Sequence, residues 1–106
     1  MSALSIVLMT APSEQVAADI GRKLVEERLA ACANLIPKIR SIYTWRGAVC
    51  DEAETLCVLK TRPELFHAVE KRILELHPYE VPEVVLIDVR EASARYLGWV
   101  LEATAS

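Results

Sequence analysis

No stretch of the sequence approaches the roughly 20 consecutive apolar residues that a membrane-spanning helix needs, so a helical membrane anchor is not expected among these residues. Basic clusters are missing too. Twelve Lys and Arg are scattered, as in "PKIR" and "EKRI", against fifteen Asp and Glu, for a net charge of −3. That balance argues against a nucleic-acid partner, whose phosphates call for a concentrated basic face. Cysteine is scarce: Cys32, Cys50 and Cys57 are odd in number and lack C-x-x-C spacing. This argues against a disulfide framework and a paired-cysteine zinc or redox site, and it suits a reducing compartment. The opening "MSALSIVLMT" has no positive n-region and its apolar run stops at Thr10, so it reads as a strand rather than a signal peptide. Repeats, linkers and low-complexity tracts are absent, and 106 residues leave no room for a second domain. The expectation is one soluble cytoplasmic domain, 1–106.

What is present is a regular alternation of strand and helix signals. "ALSIVLMT" is a compact apolar strand ending at "APSE", where Pro12, Ser13 and Glu14 suit a helix start. Ala17, Ile20, Gly21, Leu24, Val25 and Arg28 then fall on one helical face, predicting a helix to about Leu29 or Ala31. Ser41, Tyr43 and Trp45 alternate with Ile42, Thr44 and Arg46 in strand fashion, and Gly47 marks a turn into a returning strand over 49–61. Pro63 opens a second helix with an apolar stripe of Leu65, Phe66, Val69, Ile73 and Leu76 that must stop at His77. "EVVLIDV" reads as a fourth strand. "EASARYLGWVLEA" reads as a last helix, capped by Ser93 and burying Leu97, Val100 and Leu101. The order is β-α-β-β-α-β plus a terminal helix: an α+β, ferredoxin-like split βαβ fold, two helices covering one face of a four-stranded antiparallel sheet.

One length does not fit a lone globule. Extended over 49–60, the third strand spans about 40 Å, whereas a chain of this size has a radius of gyration near 13 Å and a body about 33 Å across. The hairpin is therefore expected to project and to find partners on neighbouring copies in a closed ring. The other reading is a bulge near "CDEAE" that shortens the strand.

Chemistry is concentrated in "HPYEVPE", 77–83. Pro78 ends one helix and Pro82 starts the next strand, which is a sufficient structural account of the segment. The same stiffness also holds Tyr79, Glu80 and Glu83 in fixed directions, as a binding site requires. His77 and Glu83 offer an imidazole and a carboxylate suited to Cu(II) or Zn(II), yet two donors do not complete a site. On local sequence alone the structural role leads. Cys32 in "LAACAN" is available as a nucleophile with His77, but its small apolar neighbours favour burial. Lys60, with Thr61 and Arg62, attracts anions better than the "TAPSE" helix start, although charges at strand ends are usually solvated.

Taken together, "TAP" at 10–12, "LAACAN" at 29–34, "IP" at 36–37, "SIYTWRG" at 41–47, "LKT" at 59–61, "HPYEVPE" at 77–83 and "YLGW" at 96–99 resemble the CutA family, the divalent-cation tolerance proteins. The resemblance implies a P-II-like homotrimer with long hairpins linking neighbours. It further implies a role in tolerance of divalent metals, copper in particular, and clefts between subunits. By position, His77 and Glu83 take the metal-contacting role, and Tyr43, Trp45, Lys60, Tyr79 and Trp99 lie near the cleft. The cysteine associated with copper just before "TAP" in that family is here Met9, whose thioether suits Cu(I).

The expected function is a non-enzymatic homotrimer that takes copper, another divalent metal or a small anionic ligand in its clefts, with no nucleic acid or membrane partner. The alternative is a trimeric scaffold or signalling protein that organises a protein partner, with metal effects indirect. An enzyme using Cys32 or His77 lacks a complete set of nucleophile, base and orienting group.

Overall fold

The computed structural model describes residues 3–105; Met1, Ser2 and Ser106, part of the expected 1–106 domain, lie outside the described residues. The elements run β1 (Ser5–Ala11), α1 (Glu14–Glu26), β2 (Cys32–Trp45), β3 (Ala48–Thr61), a 3-10 turn (Pro63–Leu65), α2 (Phe66–Leu76), β4 (Val85–Asp88) and α3 (Ala94–Ala103). The strands form one antiparallel sheet in the order β2-β3-β1-β4. This is the expected ferredoxin-like arrangement.

Local chemistry explains most boundaries. Ser13 Oγ accepts the Val16 N–H at 3.1 Å and Ser93 Oγ accepts that of Tyr96 at 3.2 Å, capping α1 and α3. Helix α2 stops where foreseen: His77 is extended at φ −81, ψ 137, as a residue before proline must be. Helix α1 stops earlier than the predicted Leu29 or Ala31. Arg28 turns left-handed at φ 61, its N–H bonds Val25 O at 3.1 Å, and the Leu29 N–H bonds Leu24 O at 2.9 Å. That pair of bonds is a Schellman closure built without glycine; Arg28, beyond the helix, and Val25, still within it, are both exposed rather than on the buried face.

The core lies between the sheet and α1 and α2. Val7, Met9 and Ala11 from β1, Cys57 and Leu59 from β3, Ala17, Ile20 and Leu24 from α1, and Val69 and Ile73 from α2 are all buried. Helix α1 comes so close that a Cβ on Gly21 would meet the Ala33 Cβ at 3.0 Å, which explains a glycine in mid-helix. In α3 only Val100 of the expected trio is fully buried, while Leu97 and Leu101 are half-buried. Cys32 opens β2 half-exposed, contrary to the expected burial, because it pairs with Lys60 on the face away from α1. The buried thiol is that of Cys57, which burial pushes up to about 11.

That second face of the sheet is apolar and only partly covered. Ile36 is 48% exposed, Val85 46% and Ile87 46%. The hairpin of β2 and β3 outruns the body: the molecule measures 44 × 25 × 22 Å, with a radius of gyration of 14.2 Å. The bulge sits on β2 rather than near "CDEAE". Between Ile36, opposite Leu56, and Ile39, opposite Glu54, β2 carries Pro37 and Lys38 where β3 has only Thr55. Lys38 is left-handed at φ 60.

Candidate functional site

The bulge decides which side chains meet. Because β2 gains one residue there, the positions beyond it change sides, so that Tyr43 and Trp45 share a face with Glu52 and Glu54 of β3. Tyr43 accordingly donates its phenol to Glu52. This hydrogen bond first, and desolvation second, push the Tyr43 phenol up to about 12.

Opposite this aromatic wall stands the stiff loop between α2 and β4. A cleft of about 860 Å³ separates them, lined by 40–45 of the ribbon, by Thr10 and Glu54, and by Pro78, Tyr79, Glu80, Val81 and Glu83 of the loop. Tyr79 fixes the loop to the sheet by donating its phenol to Glu54 Oε2 at 2.6 Å. Burial, then this bond, raise the Tyr79 phenol well above its ordinary range. Glu54 is itself only 8% exposed, a buried carboxylate held by a hydroxyl.

His77 anchors the loop from below. It is 8% exposed; its Nε2 lies 2.8 Å from Thr10 O, and its Nδ1 accepts the Tyr79 backbone N–H at 3.1 Å. A backbone N–H only donates and a carbonyl only accepts, so the ring carries its proton on Nε2. Both nitrogens are engaged, and a metal reaches His77 only if one of these bonds opens. Glu83 lines the cleft and is exposed. Met9 belongs to the core and faces the helices, away from the cleft. Among the described residues no group of three or more His, Cys, Asp or Glu side chains is placed to hold a metal ion. The donors of a single chain do not fit a closed divalent-metal site.

Of the residues expected near a cleft, Tyr43, Trp45, Tyr79 and Glu83 line this one. Lys60 and Trp99 lie elsewhere in the chain: Lys60 Nζ donates to Asn34 Oδ1, and the Trp99 ring packs 5.7 Å from that of Tyr96. Tyr96 in turn meets Cys32 Sγ at 3.7 Å. Sequence reasoning missed Glu52, Glu54 and Arg40 as site residues. Arg40 is held bidentately by Asp51 at 2.9 and 2.7 Å, a diagonal pair across the ribbon that only the bulged register brings together.

A sequence model described as "CutA1 divalent ion tolerance protein" matches residues 5–103. The Divalent-cation tolerance protein CutA of Thermus thermophilus is 46% identical over 99 residues, covering 93% of this chain and 96% of that protein. Protein CutA of Mus musculus is 44% identical over 103 residues, but this chain spans only 58% of its length. Among solved structures, CutA from Xylella fastidiosa superposes with a TM-score of 0.95 at 33% identity, covering 98% of this chain and 100% of that one.

Proposed function

This chain belongs to the CutA1 divalent ion tolerance family, and on that premise we propose that it is a non-enzymatic, cytoplasmic homotrimer that binds a ligand in clefts between its subunits. The observation that carries the reading is the position of the cleft. It lies between the stiff loop and a ribbon that outruns the body of the molecule, so a neighbouring copy packed along the ribbon closes its open side. The half-exposed apolar face bearing Ile36, Val85 and Ile87 supports the same assembly, since a patch of this kind is covered in a stable soluble protein. No described helix is long and apolar enough to cross a membrane.

The ligand of this reading is copper, another divalent metal or a small anionic molecule. Glu83 supplies a carboxylate at the cleft, His77 keeps its loop in place, and Lys60 and Trp99 join the site from an adjacent subunit. Shared donors make up for the incomplete set in one chain. Native mass spectrometry of protein purified without added metal tests both halves: three copies, with retained metal or ligand, are expected. Calorimetry with Cu(II) on Glu83→Ala should then show weakened binding with the trimer intact. A folded monomer at micromolar concentration would overturn the assembly, and unchanged copper affinity would remove Glu83 from the site.

A further inference from the structure

The ribbon ends in a two-residue turn in which Arg46 (φ 51) and Gly47 (φ 81) are both left-handed. Such turns favour Asn, Asp or Gly at the first position, and a side chain as large as arginine is strained there. Strained residues kept in place concentrate at functional sites, so the destination of this side chain is informative. The Arg46 guanidinium carbon stands 5.4 Å from the centroid of the Trp45 ring. Its Nη2 donates to Glu80 Oε2 at 2.9 Å. One planar cation thus sits against an aromatic face while a carboxylate from the opposite wall neutralises it, at the mouth of the cleft. This is the recognition geometry of an organic cation.

We propose that the Trp45 ring and the Glu80 carboxylate form a subsite for a small guanidinium-bearing ligand, and that Arg46 fills this subsite as an intramolecular competitor. The cleft behind it has room for a short stem against Tyr43 and Tyr79, with Glu83 adding negative potential. Arg46 is held by little within its own chain, where the ion pair is 72% exposed on one side and 67% on the other, and exposed pairs of this kind hold their partners only weakly. The inference goes beyond the divalent-ion reading and does not depend on it.

The test is an NMR titration of the full chain, freed of metal with EDTA, using n-butylguanidinium as probe and the Trp45 indole N–H as reporter. Arg46→Met removes the competitor while keeping a Cβ at the same strained position, so the turn is not relaxed by the change. Binding by Arg46→Met should be about three- to ten-fold tighter than by the wild type, the advantage expected from losing one exposed ion pair and one cation–π contact. Adding Glu80→Gln should abolish the gain, as should Trp45→Leu read instead from the backbone N–H of Gly47, and n-butylurea, the uncharged analogue, should not bind. Equal affinity in Arg46→Met, indifference to Glu80→Gln, or equal binding of the urea would each overturn the subsite. Copper binding without any guanidinium response defeats this inference alone. A guanidinium response without copper binding leaves it standing and defeats only the metal reading.

Discussion

The imidazole of His77 accepts the backbone N–H of Tyr79 at 3.1 Å and packs with ring centroids 4.6 Å apart against the phenol of the same residue. Two positions in sequence thus make a self-contained corner, tied to β1 through Thr10 O at 2.8 Å. The loop's stiffness comes from this corner as much as from its prolines.

Removing the ring should therefore cost stability. His77→Ala leaves the Thr10 carbonyl and the Tyr79 N–H unsatisfied in a buried place, a loss of about 2 kcal/mol. Urea unfolding at fixed protomer concentration measures it. A loss below about 0.5 kcal/mol, the size of an ordinary surface substitution, would mean that the corner stands without its imidazole.

Tyr79→Phe takes the hydroxyl from the buried carboxylate of Glu54 and should cost about 1–3 kcal/mol. The pair also sets an alkaline limit. The folded state raises both phenols above the ordinary 10.0, Tyr43 to about 12, so it favours their neutral forms. Their contribution is complete below pH 10 and is lost as pH rises through the folded values. Unfolding curves between pH 8 and 12 should steepen their decline above pH 10, and the double variant Tyr43→Phe, Tyr79→Phe should flatten it. Identical slopes would contradict the assignment.

Arg28 offers a stabilising change. Glycine takes the φ of 61 without strain, so Arg28→Gly should gain about 1 kcal/mol, less whatever the 3.3 Å bond from Arg28 to Ala105 O contributes. Arg28→Val, β-branched at a left-handed position, should lose stability. Thermal melts of the two variants should move in opposite directions; shifts of the same sign would refute the strain argument.

Ile87→Lys tests the uncovered sheet face. The side chain is 46% exposed in a single chain, so the substitution should leave the monomer fold intact, while burying a lysine in an apolar contact between copies disrupts assembly. Sedimentation velocity should report monomers for the variant and trimers for the wild type. An intact trimer would place the interface elsewhere.

Where the sequence carried a local chemical signal, it was readable. Ser13 and Ser93 as caps, Pro63 at the start of a helix and His77 before Pro78 at the end of one all depend on neighbours a few residues away. The early end of α1 was not readable, because Arg28 does at the helix terminus what glycine usually does. The bulge had a marker in Pro37, since proline inside a strand points to an edge or an irregularity, yet its side and position depend on the register with β3. Glu54 was invisible as a site residue for the same reason: its partner Tyr79 is 25 positions away, and no local pattern announces a hydroxyl arriving from another element. Cys32 was misjudged because its small neighbours Ala30 and Ala31 are buried while it lies half-exposed beside the Tyr96 hydroxyl, on the sheet face shared with Lys60.

The surplus residue at Pro37 and Lys38 belongs to β2 alone. Every side chain between it and the tip stands in a register against β3 that the surplus residue does not enter. Deleting Lys38 would set Pro37 opposite Thr55 and leave Ile39 opposite Glu54 and Tyr43 opposite Cys50, so the aromatic wall would keep its face while the local bend and added twist of the bulge would be lost. The extra residue thus steers the course of the ribbon toward the loop rather than the choice of side chains it presents.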